Sequence, residues 1–128
     1  MRIIILSILL AVFLSACNTS HPLTNLNDHS IEYLVDEGET LEDVKLSILR
    51  AGQSLGWEMT PLKPGLIRGK LNLRAHTAVV KIPYSMESYS IIYVDSINLD
   101  YDGQNIHRSY PRWVNNLKVR IDDFIARR

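Results

Sequence analysis

The sequence is short of cysteine, with one, Cys17, in 128 residues. A single thiol cannot form an intramolecular disulfide, so packing alone must stabilise the fold. Long apolar runs are also scarce. The run at residues 3–14 is shorter than the roughly 20 residues that a membrane-spanning helix needs. The sequence therefore argues against a disulfide-stabilised scaffold and against a spanning helix in this segment.

Motifs for several chemistries are missing as well. There is no Gly-x-Ser-x-Gly nucleophile elbow and no glycine-rich phosphate loop. The four histidines lack the close ligand pairs of a zinc site. Basic and acidic residues number 14 each, so the chain has no net positive charge with which to attract nucleic acid. We expect no catalytic centre, cofactor, metal site or nucleic-acid partner.

The first seventeen residues have the order of a bacterial export signal. Arg2 precedes the apolar run, and Leu14-Ser15-Ala16-Cys17 follows it. These four residues resemble the lipobox of bacterial lipoproteins, which implies a signal peptide over 1–16 and acylation of Cys17. Two or three acyl chains hold a protein stably in a membrane. By the same resemblance Asn18 implies the periplasmic side of the outer membrane; the alternative is an ordinary secretory signal that ends in a cysteine by chance.

The chain after the signal reads as one domain on a tether. Residues up to about 31 are polar and aperiodic, so we predict the lipidated cysteine and a flexible tether over 17–31 and a single periplasm-facing domain over 32–128. A capping box at Thr40 predicts a helix that ends at Gly56. A second amphipathic helix is predicted from Ser109.

Four segments between the helices favour strands: 57–63, 66–74, 77–84 and 89–94. In the second, Ile67, Gly69, Leu71 and Leu73 are predicted to face inward. Both helices need an apolar surface to cover. The sequence thus predicts an α+β fold, a four-stranded antiparallel meander with two helices packed on one face.

Short segments from about 41 to 128 carry a family resemblance. They are Gly56-Trp57, Pro64-Gly65, His76-Thr77-Ala78, Ile82-Pro83-Tyr84, Tyr89-Ser90-Ile91, Ser96-Ile97-Asn98-Leu99, Tyr101-Asp102, Ile106-His107, Tyr110 and Trp113-Val114-Asn115-Asn116-Leu117. With these segments the chain resembles a group of small, uncharacterised lipoproteins of Gram-negative bacteria. The resemblance implies a shared fold and a place in the envelope, and it implies no reaction or ligand.

One candidate binding site lies on the outer face of the predicted sheet. Arg68, Lys70 and Arg74 are on one strand and Lys81 is on the next. A turn at 74–77 would place Lys70 opposite Lys81, and two cations directly opposite each other are unfavourable. An anionic envelope component or an acidic envelope protein would relieve that repulsion. The alternative is a solvated basic face without a ligand.

Two further chemistries are weaker candidates. A small periplasmic hydrolase would need His76, His107 and the 95–102 loop to meet in one cleft. The segment 98–103 imitates the first half of a calcium loop, but the twelfth position is Ser109 instead of Glu, which favours an acid-rich turn.

A role as one subunit of a larger envelope assembly is the other alternative. It would leave an apolar patch exposed at Val79, Ile92 and Val94. The sequence favours a lipid-anchored, non-catalytic binding or structural accessory of the bacterial envelope. We expect attachment to the membrane through the acyl chains on Cys17.

Overall fold

The computed structural model describes residues 19–127, which contain seven strands and two helices. The strands are β1 (Ser20–Pro22), β2 (Leu26–Ser30), β3 (Glu58–Lys63), β4 (Leu66–Leu73), β5 (His76–Pro83), β6 (Ser88–Ile97) and β7 (Asn105–His107), and the helices are α1 (Leu41–Ser54) and α2 (Ser109–Ala126). The predicted signal peptide, Cys17 and Asn18 lie outside the described residues. No helix within the described part is long and apolar enough to cross a membrane.

The predicted capping box starts α1. Thr40 Oγ1 accepts a hydrogen bond from Asp43 N at 3.3 Å, and Thr40 N donates to Asp43 Oδ2 at 2.9 Å. Both bonds satisfy amides that the first helical turn would leave without a partner. The helix ends at Ser54, and Gly56, the predicted stop signal, follows the C-cap with a positive φ of 88°.

The sheet is a five-stranded antiparallel one, in the order β2-β6-β5-β4-β3. Its last four strands form the predicted meander, joined by short turns such as Pro64-Gly65, where Gly65 has the positive φ that this turn requires. The α+β class is confirmed, and the number of strands is five instead of four. The fifth strand, β2, pairs with the free side of β6.

The pairing of β4 with β5 differs from the prediction by two residues. The turn consists of Arg74 and Ala75, with Leu73 opposite His76, because Arg74 adopts the left-handed conformation at φ 58°. A register shift of two residues leaves the same side chains on each face of the sheet. Ile67, Gly69 and Leu71 therefore face inward as predicted. Leu73 is the exception: it lies at the end of the sheet and is 47% exposed.

A single core holds the helices to the sheet. Buried residues from both helices and from the inner face of the strands belong to one apolar cluster, and the two helices also contact each other. Ala78, Val80 and Ile82 on β5 are fully buried in it. Gly69 is needed on β4, since a Cβ there would lie only 3.2 Å from a Val80 methyl and 3.3 Å from Trp57.

The segment predicted as a tether is largely structured. β1 pairs with β7 in a separate two-stranded sheet, and β2 pairs with β6. The prediction of a flexible tether over 17–31 is therefore wrong for residues 20–30. These strands are short and polar, so their residues show no apolar alternation. Their partner strands also lie far along the chain, and local sequence patterns do not reveal such pairing.

One edge of the large sheet is β3. It contains Pro61, which has no N–H to donate, and it ends at Lys63. Proline and lysine on an edge strand weaken its capacity to pair with another strand.

A polar cluster ties β2 and β6 to α2. Asp122 accepts hydrogen bonds from Tyr89 Oη at 2.8 Å and from Lys118 Nζ at 3.1 Å, and it lies 2.9 Å from His29 Nε2. Burial first, and then the hydrogen bond to Asp122, raises the pKa of Tyr89, so the phenol remains a proton donor. The Asp122 carboxylate therefore joins three elements that are distant in sequence.

We expect Asp122→Ala to lower the free energy of unfolding by about 1–3 kcal/mol, because it leaves the buried Tyr89 hydroxyl and the partly buried Lys118 without their carboxylate partner. Urea unfolding measures this as a lower midpoint at an unchanged slope. The matched control is Asp123→Ala, whose ion pair with Arg127 is exposed and should change stability by less than about 0.5 kcal/mol. Equal effects of the two substitutions would contradict the role of Asp122.

Candidate functional site

The structure brings two of the four predicted basic residues together. Arg68 on β4 and Lys81 on β5 are direct cross-strand partners, and both side chains are exposed on the outer face of the sheet. The same row continues to Thr60 on β3 and Ile92 on β6. Arg68 and Lys81 therefore form a cationic pair between neutral neighbours, which we call the Arg68–Lys81 pair.

Lys70 and Arg74 have different surroundings from those predicted. Lys70 lies opposite Val79 instead of Lys81, and on its other side it lies opposite Glu58. A carboxylate directly across the ladder offsets its charge. Arg74 belongs to the β4–β5 turn at the end of the sheet, two residues beyond the last outward position of the strand. The prediction that Lys70 faces Lys81 is wrong, because the turn closes one residue earlier.

Within residues 19–127, neither Arg68 nor Lys81 forms a salt bridge. The salt bridges there join His29 and Lys118 to Asp122, Lys45 to Glu42, and Arg127 to Asp123. Two like charges that face each other without a counterion are mutually destabilising. This arrangement favours an external anion.

The apolar patch expected of an assembly subunit is incomplete. Val79 is buried at 6% exposure and Ile92 is half-buried, whereas Val94 is 43% exposed. Val94 is the extra residue of a bulge in β6, since Val79 pairs with Asp95 and the next residue of β5 pairs with Tyr93. The exposed apolar surface expected on the outer face is therefore smaller than predicted.

His76 and His107 do lie side by side. Their rings are stacked with centroids 6.2 Å apart, and His76 lies 6.5 Å from the Trp113 ring. Each Nδ1 has a backbone partner: His76 Nδ1 is 2.7 Å from Asn98 O, and His107 Nδ1 accepts from Ser109 N at 3.1 Å. His107 thereby helps to start α2.

These bonds set the proton positions. A carbonyl only accepts, so His76 Nδ1 carries a proton, and a backbone amide only donates, so His107 Nδ1 has none. Neutral His107 then has its proton on Nε2 and offers no free ring nitrogen. Neither ring has a carboxylate or hydroxyl partner among the described residues, and the same part of the chain contains no group of three metal-ligating side chains.

The acid-rich loop after β6 uses its carboxylate internally. Asp102 Oδ1 accepts from Asn105 N at 2.7 Å and from Gln104 N at 2.9 Å. These two hydrogen bonds hold the pKa of Asp102 below its ordinary value of 3.8. The bonding is that of a closed turn, as expected from a loop without a glutamate at the twelfth position.

Two cavities lie at opposite ends of β4. One of about 310 Å³ is lined by residues of α1 and the β3–β4 turn, among them Lys45, Lys63 and Tyr84. The other, about 230 Å³, is an apolar cleft between Leu73, Trp57 and Trp113. Trp57 is 3% exposed, so it is a core residue and also part of a cavity wall, and Trp113 is only half-buried.

Sequence reasoning did not find the cluster around Asp122. His29 and Asp122 are 93 residues apart, and His29 lies in the segment taken as a tether. The one available signal was Asp122 itself, an acid next to the apolar stripe of α2.

Comparison with protein family models, with curated proteins and with solved structures finds no match to this chain. The interpretation of the site therefore depends on its own geometry.

We expect the amide resonances of Gln104 and Asn105 to titrate together, with a midpoint below pH 3.8. The native-state pKa of Asp102 is lowered, so its carboxylate stabilises the loop at higher pH and loses this effect as the pH falls through that pKa. NMR spectroscopy of both amides measures the midpoint. Asp102→Asn keeps an acceptor oxygen and should abolish the titration; a midpoint above pH 3.8 would contradict the assigned bonding.

Proposed function

We propose that this chain is a lipid-anchored protein of the bacterial envelope, acylated on Cys17, whose domain is a non-catalytic binding accessory. Its binding surface is the Arg68–Lys81 pair on the outer face of the sheet. The partner is an anionic component of the envelope, and acidic groups of a glycan or a protein have the required charge. The lipobox-like residues 14–17 support the anchor.

The observation that carries the binding proposal is the direct opposition of Arg68 and Lys81. Sheet faces commonly carry basic side chains, but a cross-strand pair of like charge costs free energy unless something compensates it. Lys70 has Glu58 directly opposite it, whereas the remaining direct cross-strand partners of Arg68 and Lys81 are the uncharged Thr60 and Ile92. An anion between the two side chains would turn this repulsion into attraction.

The guanidinium of Arg68 and the ammonium of Lys81 suit carboxylate or phosphate oxygens. Arginine binds such groups through two parallel hydrogen bonds, and lysine adds a point charge. Since both side chains are exposed, the interaction is screened by salt. The proposed binding is therefore weak for one pair and gains strength from repeated anions on a polymer.

The anchor is tested by Cys17→Ser. We expect this variant, produced in a Gram-negative host, to incorporate no labelled palmitate and to leave the membrane fraction, because serine lacks the sulfur that is acylated. Ser20→Ala, three residues further on, should keep both the label and the membrane association. Label on the Cys17→Ser variant, or none on the unaltered protein, would contradict the anchor.

The binding face is tested by replacing Arg68 and Lys81 together with Ser. Each exposed charge contact contributes roughly 0.2–1 kcal/mol, so losing both should weaken binding by about 2- to 30-fold. The measurement uses the acylated full-length protein in a neutral detergent, with peptidoglycan sacculi and lipopolysaccharide micelles as probes, at low and at moderate salt.

A matched control replaces Arg50 and Lys63, an exposed arginine and an exposed lysine elsewhere on the domain. It removes the same charge and should leave binding unchanged. Equal losses of binding in the two double variants would show that net charge alone determines binding, which would contradict the proposal. Binding that does not weaken at higher salt would contradict it too.

A further inference from the structure

We propose that the end of the domain where the chain enters it is a membrane-docking face, pressed against the phospholipid surface that holds the acyl chains. This inference rests on the proposed acylation of Cys17. It replaces the expected flexible tether, which would lift the domain off the bilayer, with direct contact between domain and lipid.

Little chain is left between Cys17 and the fold. Thr19 is already bound to the domain, because its carbonyl accepts a hydrogen bond from Arg108 N at 2.7 Å, and Ser20 pairs with His107 in β1 and β7. Two residue steps, with Asn18 between them, separate the Cα of Thr19 from that of Cys17. Fully extended, they span at most about 7 Å.

That distance is comparable with the thickness of one headgroup layer. The headgroup regions add about 10–15 Å in total to the hydrocarbon core of a bilayer, or roughly 5–8 Å on each side. An acylated cysteine lies where its chains enter the hydrocarbon. Thr19 and the residues around it are therefore held at the level of the headgroups.

Several neighbouring elements are grouped near Thr19. The His107 ring lies against His76, which follows the β4–β5 turn, and His76 Nδ1 donates to Asn98 O just after β6. Asn98 in turn donates to Ala75 O at 2.7 Å. The start of α2, the β4–β5 turn and the end of β6 therefore surround the point where the chain enters; we call this surface the entry face.

The entry face is partly apolar. It exposes two large apolar side chains, Leu73 at 47% and Ile97 at 57%. The half-buried Trp113 and its apolar cleft open beside Leu73. Arg74 and Arg108, both exposed, stand at the rim. Apolar and aromatic side chains bordered by arginine are typical of surfaces that lie at the boundary of headgroups and acyl chains.

Charge makes a smaller contribution than the apolar residues. Asp100 and Asp102 belong to the loop next to the entry face and offset much of the positive charge of the two arginines. The contact therefore depends on the short connection and on Leu73, Ile97 and Trp113. Moderate salt should leave it in place, unlike binding at the Arg68–Lys81 pair.

The test compares two leucines of equal exposure at opposite ends of the sheet. Leu73 lies at the entry face and Leu62 beside the β3–β4 turn, and each is 47% exposed. The seven residue steps of β4 that separate the two ends span about 23 Å. Each leucine is replaced in turn, as Leu73→Cys or Leu62→Cys, in the full-length acylated protein, and labelled with an environment-sensitive fluorophore.

The labelled proteins are reconstituted into vesicles of phosphatidylethanolamine and phosphatidylglycerol, with and without brominated acyl chains. We expect the label at position 73 to shift its emission to the blue and to lose most of its fluorescence in brominated vesicles. The label at position 62 should show neither change. Ile97→Cys provides a second labelling site at the entry face and should behave like Leu73→Cys. Agreement between the two sites would show that the result does not come from local disruption by one substitution.

Mass spectrometry of the same samples separates the two proposals. Acylated, vesicle-bound protein whose labels at 73 and 97 remain unquenched overturns the docking face and leaves the anchor standing. Protein without acyl chains on Cys17 overturns the anchor and with it the docking face. Quenching at 62 as strong as at 73 also overturns the proposal, since it would place the domain on its side.

Discussion

Burial of the inner face of β4 and β5 beneath both helices is the interaction on which the rest of the fold depends. Ile67, Ala78, Val80 and Ile82 have no exposed surface, and no disulfide supplements their packing. Each fully buried aliphatic side chain contributes about 1.5–3 kcal/mol, which is large beside the net stability of a small domain. The outer face of the same strands is consequently held in a fixed register and can present charges at defined positions.

The N-terminal strands depend on a different kind of contact. β1 and β2 contribute little apolar surface, and their attachment comes from strand pairing and from the polar cluster around Asp122. A carboxylate with several partners in a partly buried place is sensitive to the loss of any one of them. The segment nearest the proposed anchor is thus the part of the domain held mainly by hydrogen bonds, while the remainder is held by packing.

Much of the fold could be predicted because its signals are local. The capping box at Thr40, the turn at Pro64-Gly65 and the alternation in β4 each lie within a few residues, and the structure confirms them. The predictions that failed concern pairing between distant segments and the backbone conformation of a single turn residue. β2 has no apolar alternation and gains its place from β6, and the register of β4 and β5 was set by one left-handed residue, Arg74.

The candidate site shows the same division. Alternation placed Arg68 and Lys81 correctly on the outer face. The turn decides which cations oppose each other, so the sequence predicts Lys70 opposite Lys81, whereas Arg68 takes that position in the structure. The stacking of His76 on His107 could not be derived, because it depends on how the start of β5 approaches the end of β7. The position of Thr19 against Arg108 is equally a tertiary property.

The composition of β3 has a consequence for how copies of this protein coexist. An outer strand with a full row of free amides invites the same strand of a neighbour, and association of this kind ends in aggregates. Pro61 has no amide to offer such a neighbour, and Lys63 places a positive charge on the same strand. Under the proposed anchoring, copies share one membrane surface and meet more often than in free solution, and an edge of this composition disfavours fusion of their sheets.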